Sequence, residues 1–275
     1  MSYKSILVNL DVDGSIASIV KTAVEVARGS NARLIGFCAA DAYLPVTGPE
    51  GAVLAAEVMR QMQDDDRRRF SELREEFEKL VFGAVETEWR DAQENPTYAL
   101  VQVSRMADLI LTEAREGAAT GNRSRMADPA SVVLQAGRPL LIAGAGAGAA
   151  PAPGRKVAIA WKDAREARRA VVDAVPLLRH AEEVTVVTVA ATIDQWAREG
   201  VADVAAFLAS HGITARKEAI ESARESERLL EFIDANEIDL VVSGAFGHSR
   251  LREWAFGGVT RSLLDEKRLN RFMSS

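Results

Sequence analysis

The chain has 275 residues, 48% of them hydrophobic, with 40 acidic against 34 basic side chains and a net charge of −6. That length can bury two ordinary cores, and the acidic balance argues against a general nucleic-acid binder, whose affinity rests on neutralising phosphates. No apolar run reaches the roughly 18 residues of a membrane span, and the start, Met1-Ser-Tyr-Lys4, leads into an apolar run without the pattern of a signal peptide.

The single cysteine, Cys38, excludes an intrachain disulfide and a cysteine zinc site, and fits a reducing cytoplasm. It lies in an apolar run and reads as packed and inert. In chain order, 4–10 is an expected strand, 15–28 a helix and 33–39 a second strand. Residues 51–80 carry apolar side chains at helical spacing among many charges and predict a long helix. Strand 85–90, helix 96–106 and strand 108–112 follow. A helix ending at 135 and strand 139–143 complete this part.

The tract Gly144-Ala-Gly-Ala-Gly-Ala-Ala-Pro-Ala-Pro-Gly154 has no large side chain to bury and reads as a linker. Limited proteolysis should cut there first, or in 40–51 and 113–125. Early cleavage inside 4–10 or 184–189 would contradict this layout. Beyond the tract come strand 157–161, helix 166–178, strand 184–189, helix 193–210, strand 214–219, helix 225–235, strand 238–243 and helix 258–264.

The second series repeats the first. Asp108-Leu-Ile-Leu-Thr-Glu-Ala114 matches Asp239-Leu-Val-Val-Ser-Gly-Ala245 in register, and 4–11 matches 155–161. The offset is about one domain length. The expected division is 1–146 and 154–275. The βαβα order argues for parallel sheets with helices on both faces, and for ligands at the carboxyl ends of the strands. The last strand is clear in the first half, at 138–143. In the second half, Asn270 and Arg271 interrupt what should be an apolar run at 268–275.

After strand 238–243 come Gly244, Gly247, and then Gly257-Gly258 opening a helix. Glycines at a strand end allow close backbone approach, and a helix N-terminus offers free N–H groups to phosphate. The spacing is neither a Walker A loop nor G-x-G-x-x-G. Such a loop also fits a tight turn that holds nothing.

This G-x2-G-x9-G spacing, with the tandem βαβα order, resembles the universal stress protein family over nearly the whole chain. The resemblance implies two flavodoxin-like or Rossmann-like domains of the adenine nucleotide alpha hydrolase kind. It implies a cytoplasmic stress-response protein that binds ATP or ADP in its C-terminal domain, with Mg accompanying the nucleotide and at most weak hydrolysis. The cofactor-binding positions it implies are Gly244, Gly247, His248, Gly257, Gly258, Val259, Thr260, Trp161 and Lys162. Single domains of the family pair through their last strands, which implies an intrachain domain pairing here and a homodimer. The chain departs from the pattern at two places. Gly258 stands where the family usually has Ser or Thr, and Lys162 where it commonly has Asp.

In the first half, Glu113 and Glu116 match Gly244 and Gly247, and Ala127-Asp128 matches Gly257-Gly258. Like charges about 4 Å apart cost about 1 to 4 kcal/mol per pair, so this half is expected to have lost nucleotide binding, unless Arg115, Arg123 and Arg125 neutralise the carboxylates. No catalytic set emerges: His180, His211 and His248 lie in separate segments. The block Asp64-Asp-Asp-Arg-Arg-Arg69 reads as a solvated helix face with local ion pairs. Two other readings remain: a nucleotide-free scaffold on the same fold, and an adenylating-type enzyme. No metal site, nucleic-acid partner or membrane partner is expected.

Overall fold

The computed structural model describes residues 2–42, 52–114, 124–144, 154–246 and 258–275, with the backbone path alone at 52–54. The first half runs β1 (Ser5–Asn9), α1 (Ala17–Ser30), β2 (Arg33–Ala39), α2 (Ala52–Val81), β3 (Thr87–Ala92), α3 (Pro96–Val103), β4 (Leu109–Glu113), α4 (Pro129–Gln135) and β5 (Leu140–Ala143). The second runs β6 (Lys156–Ala160), α5 (Arg165–Leu178), β7 (Glu183–Ala190), α6 (Gln195–Ser210), β8 (Ala215–Glu221), α7 (Glu225–Ala235), β9 (Leu240–Gly244), α8 (Gly258–Asp265) and β10 (Asn270–Ser274). A 3-10 turn, Ser104–Met106, ends what the sequence suggests is one helix from 96 to 106.

All ten strands form one sheet in the order β3-β2-β1-β4-β5-β10-β9-β6-β7-β8. Each half is therefore a parallel 3-2-1-4-5 sheet, and the two meet at the only antiparallel pair among the described residues, β5 with β10. The inner strands are apolar on both faces, as parallel strands covered by helices must be. β1 buries Ser5, Ile6, Leu7 and Val8, and β9 buries Leu240, Val241, Val242 and Ser243. The outermost strands, Thr-Glu-Trp-Arg-Asp-Ala in β3 and Ala-Arg-Lys-Glu-Ala-Ile-Glu in β8, are charged. Charge blunts an open edge against stray pairing.

The helices present stripes at helical spacing. α5 buries Ala167, Ala170, Val171, Ala174, Val175 and Leu178 against the sheet. Some of their starts carry side-chain caps. Asn95 accepts from the Tyr98 N–H before α3, with Pro96 in the first turn, and Asp194 accepts from the Ala197 N–H before α6.

The repeated aspartates do the same work in both halves. The Asp108 carboxylate accepts from the N–H groups of Lys4 and Ser5, at 2.7 and 3.1 Å. Asp239 accepts from Gly154, Arg155 and Lys156, at 2.8, 3.0 and 3.2 Å. Each one satisfies the start of the central strand beside it.

The halves are joined by more than the strand pair. The Tyr3 hydroxyl donates to the Asp173 carbonyl at 2.6 Å, and the Ser275 hydroxyl to the Val133 carbonyl at 2.8 Å. One apolar cluster runs from Tyr3 and Val24 through Leu141 to Ala174 and Phe272.

Two expectations are corrected here. Asn270 and Arg271 do not interrupt the last strand. The Asn270 side chain donates to the Asp239 carbonyl and accepts from the Gly144 N–H, at 2.8 and 3.0 Å, so it pins β10 to both its neighbours. Arg271 is 1% exposed and donates to the Leu263, Leu264 and Glu266 carbonyls at the end of α8. The Asp64–Arg69 block is not wholly solvated. Asp64 and Asp65 pair with Arg67 and Arg68 along the outer face of α2, but Asp66 is 3% exposed and turns inward.

Cys38 is fully buried in β2, and burial pushes its thiol well above the usual range. The thiolate is the reactive form. Native protein should therefore show no thiol titre with a disulfide reagent at pH 8, and one thiol per chain after denaturation. A rapid native titre would contradict this packing.

Candidate functional site

The β1–α1 and β6–α5 connections lie at the points where strand order reverses in each half. A crevice opens there at the strands' carboxyl ends. In the second half the crevice is a cavity of about 620 Å³, lined by Ala160 of β6, Val187 and Val189 of β7, and Ser243 and Gly244 of β9, together with the first turns of α5, α7 and α8. Its size lies within the ~300–1,000 Å³ range of ligand pockets. Trp161, Lys162, Gly244, Gly258, Val259 and Thr260 all line it. Gly247, His248 and Gly257 lie outside the described residues.

Gly244 has a steric cause nearer than any ligand. A Cβ there would come within 2.5 Å of the Ala167 nitrogen and 2.7 Å of the Glu166 carbonyl carbon. The short β6–α5 connection, 161–164, brings the helix start directly onto the strand end. In the first half the connection runs from 10 to 16, and the matching position is the full side chain of Glu113. Gly258 opens α8, and among the described residues a Cβ there would meet only the Ser226 hydroxyl, at 3.0 Å. With no side chain, Gly258 offers no cap of its own.

Lys162 is exposed and pairs with Glu225 at 3.6 Å across the cavity mouth. Arg224 pairs with Glu227 at 2.7 Å. Trp161 is 8% exposed, and its indole nitrogen would lie 3.1 Å from a Cβ at Gly200. That close approach explains a glycine inside α6, where glycine costs about 1 kcal/mol relative to alanine.

Ser243 and Glu166 are lining groups that the sequence did not single out. Ser243 is 5% exposed and its hydroxyl has no partner among the described residues; the same holds for Glu166 Oε2. Orphaned buried polar atoms need an explanation, and a bound group is one. The available signal was position: Ser243 directly precedes the first glycine, and Glu166 stands in the first turn after the central strand.

The corresponding crevice of the first half holds only about 30 Å³. Arg125 fills it. Its guanidinium donates to Asp13 at 2.7 and 2.8 Å and to Asp66 at 2.9 Å. Hydrogen bonding to Asp13 raises the Arg125 pKa further, against some desolvation. Asp128 caps α4, accepting from the N–H groups of Ala130 and Ser131 at 3.3 and 3.1 Å. The donors that an anion would need are thus already taken.

No family model matches the chain, and no curated protein matches it. Solved structures do. A universal stress protein from Archaeoglobus fulgidus DSM 4304 matches with a TM-score of 0.69 at 11% identity, over 98% of this chain and 96% of that one. A functionally unknown protein from Pseudomonas aeruginosa PAO1 matches with a TM-score of 0.61 at 14% identity, over 99% and 92%. Both alignments run over nearly the full length of each chain. Among the described residues, no helix is long and apolar enough to cross a membrane. From its first strand to its last, the chain has the tandem α/β fold of a universal stress protein.

Proposed function

We propose that this is a cytoplasmic stress-response protein that binds one adenine nucleotide, ATP or ADP, in its C-terminal half, as a sensor or regulator rather than as a catalyst. We place the domain division at 1–146 and 154–275. The observation that carries the reading is convergence: Trp161, Lys162, Gly244, Gly258, Val259 and Thr260, nominated by resemblance, line one cavity at the carboxyl ends of β6, β7 and β9. The groups present fit a nucleotide. Val187 and Val189 supply apolar wall for a base, Ser243 a hydroxyl without a partner among the described residues, and the first turn of α8 backbone N–H groups for phosphate. Magnesium would accompany the phosphates.

A nucleotide-free scaffold is the second reading, and the charge of the lining favours it. Among the described residues, Lys162 and Arg224 stand against Glu166, Glu225 and Glu227, two cations to three anions, and both cations are paired. Denaturing protein purified without added nucleotide and analysing the supernatant separates the two: released ATP, ADP or AMP supports the first. A ligand at 100 times its Kd adds about 2.7 kcal/mol, so millimolar ATP with magnesium should raise the melting temperature clearly, with one site per chain by calorimetry. No release and no thermal shift would establish the scaffold reading. Two equivalent sites would contradict the closed first-half crevice.

A further inference from the structure

The halves differ in a second place. In the first half, α1 packs directly on α2. In the second, a cavity of about 470 Å³ lies between the equivalent helices α5 and α6. Its walls are two helical stripes: Arg168, Val171 and Val172 on α5, and Trp196, Gly200, Asp203, Val204 and Phe207 on α6. The spacing of the α6 positions places all five on one face. Trp161 closes the end shared with the larger cavity.

Trp196 is 68% exposed, and its indole N–H donates to Asp163 at 3.3 Å. The absent side chain at Gly200 leaves the Trp161 indole close to the α6 backbone. The charged residues lining the groove are Asp163, Glu199 and Asp203 against Arg168, a net charge of −2 from three anions and one cation. Arg168 is neutralised by Asp163. The groove thus offers aromatic and aliphatic walls with carboxylates at the rim.

We propose that the α5–α6 groove is a second ligand site, taking a small organic ammonium ion whose apolar body rests between Trp161, Trp196 and Phe207 and whose cationic head faces Glu199 and Asp203. Indole faces attract cations through the ring quadrupole, and more strongly once the cation is desolvated. Neutral aromatic ligands gain the apolar contact alone. Anionic ones meet the repulsion of the rim.

The test uses the full chain and three probes of similar body: benzyltrimethylammonium, benzyl alcohol and phenylacetate, titrated by calorimetry and tryptophan fluorescence. The cation should bind saturably and about tenfold tighter than the alcohol, and phenylacetate should show no saturation. Trp196→Ala and Asp203→Asn, both at exposed positions, should each weaken the cation about three- to tenfold while the melting temperature without ligand stays unchanged. Equal affinity for cation and alcohol, no saturation by the cation up to 10-millimolar order, or an unchanged affinity in Trp196→Ala would overturn the proposal.

Discussion

Arg125→Ala should lower the stability of the protein by about 3 kcal/mol, the low end of the cost of breaking a buried ion pair. The cost comes from what is left behind. The Asp66 side chain is 4% exposed, and its Oδ2 has no hydrogen-bond partner among the described residues, so Arg125 supplies its counter-charge. The Asp13 pair adds little, because that carboxylate is 57% exposed and screened by water. Urea denaturation reads the change as a lowered midpoint at constant slope. The double variant Arg125→Met, Asp66→Asn should recover most of the loss, since a buried pair exchanged for neutral groups is often close to isoenergetic. A loss under about 0.5 kcal/mol, the range of ordinary surface changes, would mean that Asp66 is solvated and that the first-half crevice is not held shut by this contact.

Gly244→Ala should cost about 1–3 kcal/mol, the usual penalty of overpacking, and should also abolish any ATP-dependent thermal shift. The atoms in the way are backbone atoms, the Ala167 nitrogen and the Glu166 carbonyl carbon, so no rotamer change makes room. The first turn of α5 has to move, and it forms one wall of the cavity. Gly258→Ala is the matched control. Among the described residues its new methyl meets only the Ser226 hydroxyl, a side chain that rotates away, so its stability should change little. Similar melting temperatures for the two variants would show that α5 yields freely and that Gly244 is not required by packing.

The fold was legible because its signals are local and repeated. The inner parallel strands read as apolar runs in both halves, and the matching Asp108 and Asp239 registers marked the second half as a repeat of the first. Boundaries moved by a few residues, as at β3, where the expected 85–90 became Thr87–Ala92. What sequence reasoning missed depends on partners far along the chain. Arg271 looks wrong for a strand until the carbonyls of α8 reach it, and Asp66 looks solvated until Arg125 arrives from 59 residues away. Of the nine nominated positions, six line the larger cavity and three lie outside the described residues. Glu166 and Ser243 were not nominated, because ordinary residue types carry no motif and are marked only by burial without a partner.

The β5–β10 seam changes what mutation can do to this protein. In a symmetric dimer every substitution enters twice, so a charge that closes one site closes both. Here the two last strands belong to one chain and meet once, which keeps their effective concentration high at any expression level. Asymmetry then carries no assembly penalty. The first half closes its crevice with the Arg125 clamp, while the second holds an open cavity and a gap between helices α5 and α6. A single chain can therefore hold two unequal halves at a fixed one-to-one ratio.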